Sequence, residues 1–380
     1  MDYLRLLAKG EVSVLQEVEF PNFFGFSWNY YRGFTVFGIE IYWYGVIIAI
    51  GAMLALFYGL KRSKHFGLIS DNVFDVVFFA FFGAFVGARV YYVIFHNLNP
   101  ETVNKYNFIT TFTEIRDGGL AIYGGIIGAF LVGTIVALIK RMKILPLYDI
   151  AGVGILLGQA IGRWANFINQ EAYGAPTAGD LPWGMTGTII SKEVGNEVLV
   201  HPCFLYESLW CLIGFIALYF YSKKLRSFDG EMILLYIFWY GMGRGWIEGL
   251  RTDSLYWGQF RVSQVLAIAS AILALALFIF FKIKFSRDEN YLMYCDTEES
   301  KKKLAEYEEK IRLEKEGEKA PSILAEEIVD DESDALGEND DNNKESVIDK
   351  EALDEISSDE PLGDTDSENL NQEENNGENN

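Results

Sequence analysis

The sequence predicts an all-α polytopic membrane protein with seven transmembrane helices, its N-terminus outside and its C-terminus in the cytoplasm, a small extracytoplasmic cap and a disordered acidic tail. Three observations predict it. Half of the residues are hydrophobic, and they crowd into residues 39–285 in stretches long enough to cross a hydrocarbon core of ~30 Å. Basic residues recur in every second connecting loop. The acidity, a formal net charge of −21, belongs to an appendage: residues 286–380 hold 10 of the 32 Lys+Arg and 33 of the 53 Asp+Glu, so the remainder sums to 22 − 20, or +2. The whole-chain charge therefore says nothing about the partner of the main body.

In chain order, residues 1–38 are rich in Phe, Tyr and Trp and are expected to lie along the outer interface. They lack the short apolar core and small-residue cleavage site of a secretory signal. Hydropathy then places spans near residues 39–60, 71–96, 119–139, 147–168, 203–221, 231–249 and 261–281, a membrane domain over 39–285. Their orientation is read from charge, because cytoplasmic loops retain Lys and Arg during insertion. Lys61, Arg62 and Lys64 follow the first span; Lys140, Arg141 and Lys143 follow the third. Lys223, Lys224 and Arg226 follow the fifth; Lys282, Lys284 and Arg287 follow the seventh. The intervening loops, 97–118, 169–202 and 250–260, hold only Lys105, Arg116, Lys192 and Arg251. Within loop 169–202, residues 188–191 and 197–200 flank Gly195-Asn196 and read as a small hairpin cap. Beyond the last span, residues 299–319 carry Leu304, Tyr307 and Ile311 at helical spacing and read as a juxtamembrane helix. After Pro321 too little apolar surface remains to fold, so 286–380 reads as a mostly disordered cytoplasmic tail.

This orientation gathers the polar residues at one depth. Arg163 lies at the outer end of span four, with Asn166, Asn169 and Glu171 just beyond it. His201, Tyr206 and Glu207 open span five from outside, and Tyr240, Arg244 and Glu248, four residues apart, share one face of span six. Arg251 and Asp253 follow that face, Asp117, Gly118, Gly119 and Tyr123 enter span three, and Arg89 lies in the outer part of span two. An ionisable side chain in a span costs roughly 2.5–3.5 kcal/mol on insertion scales and marks a functional site by default. One arginine near an interface also reads as an anchor that snorkels to the headgroups. Several that share a depth with Glu207 and Glu248 read as a paired, hydrated pocket for an anion.

Glycines recur every four residues at Gly83/Gly87, Gly124/Gly128, Gly154/Gly158/Gly162 and Gly241/Gly245/Gly249, the interval that lets helix backbones approach closely in lipid. Gly118-Gly119 and Gly124-Gly125 follow no strand and precede no Lys-Ser/Thr, which excludes a phosphate-cradling nucleotide loop. Cys203, Cys211 and Cys295 show no metal-ligand spacing. The sequence thus calls for no metal, no cofactor and no nucleic-acid partner.

The segment from Gly162 to Gly174, Gly-Arg-Trp-Ala-Asn-Phe-Ile-Asn-Gln-Glu-Ala-Tyr-Gly, resembles the signature of the prolipoprotein diacylglyceryl transferases of bacterial membranes, differing at Trp164 and Ala165. Four further segments agree in order: Trp43-Tyr44-Gly45; Asp117-Gly118-Gly119 through Gly124-Gly125; His201-Pro202 through Leu205-Tyr206-Glu207; and Tyr240 with Arg244, Glu248 and Arg251. The resemblance spans roughly residues 40–262.

It implies a multi-pass protein of the bacterial cell membrane that moves the diacylglyceryl group of phosphatidylglycerol onto the lipobox cysteine of a prolipoprotein signal peptide, forming a thioether and releasing glycerol phosphate. The site would face the outer leaflet, with phosphatidylglycerol and the precursor peptide as partners in the lipid. The residues suit that chemistry, since a guanidinium matches phosphate oxygens in a planar fork and stabilises charge gathering on a departing phosphate. Arg163 and Arg244 are the expected phosphate clamps and catalytic groups, Asn166 and Tyr44 the expected lipid contacts, and Glu171, Glu207, Tyr240, Glu248 and Arg251 the supporting groups. The thiol must lose a proton. Many members of the family it resembles carry a histidine at the position of Tyr123, and a phenol titrating near 10 is a poor unassisted base. Tyr123 reads instead as a hydrogen-bond donor and His201 as a second candidate base, although a capping or packing role is the favoured reading of His201, and Tyr44 reads equally as an interfacial anchor. Two competing functions are an organic-anion transporter, which calls for internal repeats not visible here, and a noncatalytic lipid-binding scaffold.

Overall fold

The computed structural model of the chain describes residues 14–98, 119–179, 181–196, 198–252 and 256–334. Among these, nine helices form: α1 (Trp43–Arg62), α2 (Ser70–Leu98), α3 (Ile122–Ile139), α4 (Ile144–Asn169), α5 (Thr188–Val194), α6 (Cys203–Lys224), α7 (Glu231–Ile247), α8 (Val262–Ser286) and α9 (Glu298–Asp334). Six of them, α1, α2, α3, α4, α6 and α8, are long and apolar enough to cross a membrane. The region expected as a sixth span, 231–249, is α7, whose 17 residues fall a turn short of its neighbours before a 3₁₀ turn at Glu248–Leu250. Asp117, Gly118 and Asp253 lie outside the described residues, as does the tail from residue 335 onward. By contact the chain forms two units, Met1–Glu314 and Lys315–Asn380.

Glycine decides which helices touch. A Cβ at Gly87 would come within 2.4 Å of the Gly124 carbonyl oxygen, and one at Gly128 within 2.1 Å of that of Gly83, so α2 and α3 meet backbone to backbone. Gly51 of α1 faces Gly158 of α4 at 3.0 Å, and Gly241 of α7 faces Ala267 of α8 at 2.6 Å. α4 is the central element, packed against α1, α6 and α7, with half of its apolar window buried. Its inward side, Ile150, Val153, Leu156 and Ala160, meets Tyr58, Cys211, Leu218 and Met232 in the main core. The outward sides of α1, α2, α3 and α8 leave large apolar residues exposed, as helices that face lipid must.

One end of the bundle carries the cap. β1 (Leu15–Phe20) pairs antiparallel with β2 (Phe26–Tyr31) on one side and with β5 (Thr186–Gly187) on the other. A separate hairpin, β3 (Gly33–Val36) and β4 (Ile39–Tyr42), runs directly into α1, and a third, β6 (Tyr256–Trp257) and β7 (Phe260–Arg261), runs into α8. Val18, Tyr30, Phe167, Ile190, Val200 and Phe204 make a second core beneath the cap. Its keystone is Gln170, in the left-handed C-cap of α4 with φ 51° and 1% exposed. Its amide nitrogen donates to the Glu17 carbonyl (3.0 Å) and Tyr30 Oη (3.1 Å), and its oxygen accepts the Ile189 N–H (2.8 Å). That last bond satisfies a free amide at the start of α5.

Three expectations are corrected here. Residues 39–42 are strand, because Ile39, Ile41 and Tyr42 pair with Gly33–Val36, and the first span starts at Trp43. Residues 188–191 begin a helix rather than a hairpin strand, since the Gln170 side chain caps them, while Glu197 lies outside the described residues. The juxtamembrane helix continues through Pro321 to Asp334 instead of ending before it: proline sacrifices one helical hydrogen bond, and Leu324, Ala325, Glu326 and Glu327 beyond it are strong helix formers.

Candidate active site

Three connections converge on Gly174. Its N–H donates to the His201 carbonyl (2.8 Å) before α6, and the next amide, Ala175, donates to the Leu250 carbonyl (2.7 Å) after α7. A Cβ at Gly174 would meet His201 Cβ at 2.7 Å, Cys203 Sγ at 2.9 Å and the Leu250 carbonyl oxygen at 3.0 Å. Only glycine lets the chain leaving α4 lie against both neighbours. The stitch brings the cap-side turns of α4, α6 and α7 together, and with them their charges.

Glu207, 5% exposed on the first turns of α6, is the hub. Its Oε2 lies 2.6 Å from Arg163 Nη2, and its Oε1 lies 3.1 Å from Arg244 Nη1 and 3.3 Å from Arg251 Nη1. Arg244 also pairs through Nη2 with Glu248 at 2.6 Å, the first residue of the 3₁₀ turn after α7. Arg163 and Arg244 keep about a fifth of their side chains exposed, against 9% for Arg251. Three arginines against Glu207 and Glu248 leave one net positive charge. Arg261 adds another by donating Nη1 to the Glu248 carbonyl (2.5 Å) and Nε to Tyr256 Oη (2.9 Å).

An amide rim lines the approach to Arg163. Arg163 Nη1 donates to Asn166 Oδ1 (3.4 Å), Asn166 Nδ2 to Glu171 Oε1 (2.8 Å), and Asn169 Nδ2 to Glu171 Oε2 (3.4 Å). Arg32 reaches Asn169 Oδ1 at 3.2 Å. Tyr44 at the start of α1 is half-buried within electrostatic range of Arg163 and Glu171. Gly45 and Gly162 have nothing within 4 Å of their missing Cβ positions, so α1 and α4, tight at Gly51 and Gly158, part beside Arg163. Deeper in, Tyr240 lies within range of Arg163, Glu207 and Arg244, stacked 6.0 Å from Tyr236, whose hydroxyl accepts from Gln159 Nε2 (3.2 Å).

The structure thus joins Arg163, Asn166, Glu171, Glu207, Tyr240, Arg244, Glu248 and Arg251 in one network with Tyr44 at its edge. Two expected residues stand apart. His201 Nδ1 is 3.2 Å from Tyr206 Oη, which accepts from Trp183 Nε1 (2.7 Å). Tyr123 is half exposed, its ring 6.5 Å from that of Tyr91 on α2. Arg89, fully buried, donates to the Gly119 carbonyl (3.1 Å) and so holds the entry to α3. Sequence reasoning missed Arg261, Arg32 and Gln159, whose partners are backbone atoms or distant side chains. The only signal for Arg261 was its position at the outer end of a span.

A model of the family described as prolipoprotein diacylglyceryl transferase matches residues 33–280. The chain is 43% identical over 249 residues to the phosphatidylglycerol--prolipoprotein diacylglyceryl transferase of Finegoldia magna, covering 66% of this chain and 94% of the relative. It is 40% identical over 249 residues to the enzyme of the same name from Listeria innocua, covering 65% of this chain and 87% of the relative. The corresponding Clostridioides difficile enzyme is 41% identical over 241 residues, covering 63% and 90%.

Proposed function

The chain belongs to the prolipoprotein diacylglyceryl transferase family, and from that membership we propose that the arginine cluster around Glu207 is the site where its transfer takes place. The protein is a transferase that moves the diacylglyceryl group from phosphatidylglycerol to a prolipoprotein. The relatives' names do not support the transporter and scaffold alternatives. The acceptor is the lipobox cysteine of the precursor. Its thiolate sulfur forms a bond to the glycerol carbon as that carbon's bond to the phosphate oxygen breaks, and the electron pair leaves with glycerol phosphate. A thioether remains.

The single observation that carries this reading is the convergence of Arg163, Arg244 and Arg251 on one carboxylate within 3.3 Å. Glu207 holds the guanidiniums in place before substrate arrives, so no reorganisation is needed when charge develops on the leaving phosphate. Arg163 and Arg244 are the clamps because about a fifth of each side chain remains exposed, whereas Arg251 and Glu248 are enclosed and support them. Asn166 and Tyr44 receive the headgroup where α1 and α4 part. The net positive charge favours the thiolate of an approaching cysteine, whose free value lies near 8.5, so the thiol proton passes to water. Tyr123 and His201 then serve as hydrogen-bonding and packing groups.

The topology in this reading has seven crossings of the bacterial cytoplasmic membrane, α7 included, with the site at the outer leaflet. The charge pattern supports α7 as a crossing. Were it not one, the clusters after α6 and α8 would fall on opposite sides, contrary to the retention of basic loops inside. The 17 residues of α7 rise about 26 Å, near the thickness required. Residues 1–38 are then an extracytoplasmic interfacial segment, residues 39–285 the catalytic membrane domain, and residues 286–380 a cytoplasmic tail.

The test supplies purified protein with radiolabelled phosphatidylglycerol and a lipobox peptide. Label on the cysteine is expected, with at least a tenfold drop in turnover for Arg163→Ala and Arg244→Ala, about 1.4 kcal/mol of barrier. Wild-type turnover in either variant removes the clamp assignment.

A further inference from the structure

The two hairpins of the cap end in the same unusual way. The β3–β4 turn has two central residues, Phe37 at φ 50° and Gly38 at φ 78°, between the paired Val36 and Ile39. In the β1–β2 connection the Phe26 amide donates to the Phe23 carbonyl around Phe24 at φ 54° and Gly25 at φ 63°. Two left-handed central residues define a type I′ turn, which favours Asn-Gly or Asp-Gly because their short polar side chains tolerate that backbone. Phenylalanine does not share that tolerance. Both rings are nonetheless open to their surroundings: Phe37 is 102% exposed, and Phe24, which meets the ring of its neighbour Phe23 edge-on at 5.2 Å, is 97% exposed. Phe23 and Ile39 beside them are also exposed, and neither tip, residues 21–25 or 36–38, carries a charge. Folding within the chain explains neither the residue type nor its exposure.

We propose that Phe24 and Phe37 are paired membrane anchors that dip into the lipid interface and hold the cap, with the arginine cluster beneath it, against the bilayer surface. The occupant is lipid for a reason of connectivity. β4 passes without a loop into α1, a candidate membrane span, so Phe37 lies six residues from Trp43 and within ~20 Å of the helix end. A tip on so short a tether stays at the headgroup and upper acyl region, where aromatic rings partition well. The first hairpin is fixed to the same end of the molecule: Tyr30 Oη donates to the Ile168 carbonyl (2.7 Å), and Asn22 Nδ2 donates to the Gly179 and Leu181 carbonyls (both 2.9 Å). This inference goes beyond the proposed transfer reaction and requires only that α1 spans a membrane.

The test uses the full-length protein in liposomes, with Cys295→Ser in the background and an environment-sensitive nitrobenzoxadiazole label on Phe24→Cys or Phe37→Cys. Leu273→Cys, exposed on α8, is the lipid reference, and Glu298→Cys at the exposed start of α9 is the aqueous one. Quenching by nitroxide-bearing lipids is expected at both tips within twofold of the lipid reference and at least threefold above the aqueous one. Tips that match the aqueous reference and yield to iodide overturn the proposal, and leave a protein partner as the occupant. A second variant carries Phe24→Asn and Phe37→Asn, which suit the turns and so preserve the fold. Hydrogen exchange across residues 15–42 should rise severalfold in liposomes and stay unchanged in detergent; unchanged exchange in both overturns the anchor.

Discussion

At Glu207 the residue scale decides the chemistry. A carboxylate that touches three guanidiniums neutralises only one of them, so its work is to fix their positions while leaving positive potential for an anion. Removing one partner of a buried charged group typically costs ~3–5 kcal/mol, because the others lose their compensation. Glu207→Gln keeps the size and some hydrogen bonds but removes the charge. It is expected to lower transfer at least tenfold and to lower the detergent-micelle Tm, whereas Glu171→Gln, at the exposed rim, should change Tm little. Comparable turnover in the two variants would detach the hub from catalysis. The ingredients of this hub were legible in the sequence. The four-residue spacing of Tyr240, Arg244 and Glu248 and the place of Arg163 near the end of span four put these charges at one end of their helices. The order of pairing was not legible, since nothing in a linear pattern says that Arg163, Arg244 and Arg251 all choose Glu207.

At the scale of elements, glycines with the same spacing do different work, and the sequence stripe does not separate them. Gly154 and Gly158 face α1 across contacts of 3.4 and 3.6 Å, whereas Gly162, the next in the series, faces open space. Gly174 belongs to no stripe, yet a Cβ there would meet His201, Cys203 and the Leu250 backbone all within 3.0 Å. Gly162→Ala is therefore expected to leave Tm unchanged, and Gly174→Ala to lower both Tm and transfer sharply, because the atoms it meets include the Leu250 backbone. Equal Tm for the two variants would show that the stitch yields. Span limits were legible to within about five residues because apolar length sets them, but the cap was not. Whether residues 188–191 form strand or helix turns on a side chain 18 residues earlier, that of Gln170. Local pattern cannot report such a cap. A similar long-range contact governs Cys295, where burial pushes the thiol up against the lowering effect of Arg226, whose Nη2 lies 3.1 Å from Sγ. A raised thiol holds less thiolate at pH 8, so maleimide should modify it more slowly than a free cysteine. Tyr294→Ala, which opens the neighbouring 3₁₀ turn, should accelerate the reaction severalfold.

For the whole molecule, the family match ends at residue 280, but the folded part of the chain does not. Residues 291–308 return to the end of the bundle opposite the arginines and bind two loops there. The Asp229 amide donates to Tyr291 Oη (3.0 Å) and the Tyr294 amide to Asp229 Oδ2 (2.8 Å), securing the α6–α7 connection. Ser300 Oγ donates to the Gly67 carbonyl (3.0 Å), Tyr307 Oη to Asp71 (2.6 Å), and Lys64 pairs with Glu308 (2.7 Å), securing the α1–α2 connection. Gly67 sits at φ 79° with Ser300 Oγ 2.4 Å from where a Cβ would stand, so the two segments fit as a designed junction rather than a passing contact. Helical periodicity in residues 299–319 announced the helix, but composition could not announce its docking, because the acidic residues that follow dominate the average. The tail therefore divides functionally within α9. Ending the chain after Glu314 is expected to leave transfer and Tm near wild type. Ending it after Arg287 removes at least four hydrogen bonds worth about 1 kcal/mol each. At ~2–4 °C per kcal/mol for a domain of this size, Tm should fall by roughly 8–16 °C. If both truncations behave alike in thermal unfolding, residues 288–314 contribute nothing to the stability of the bundle.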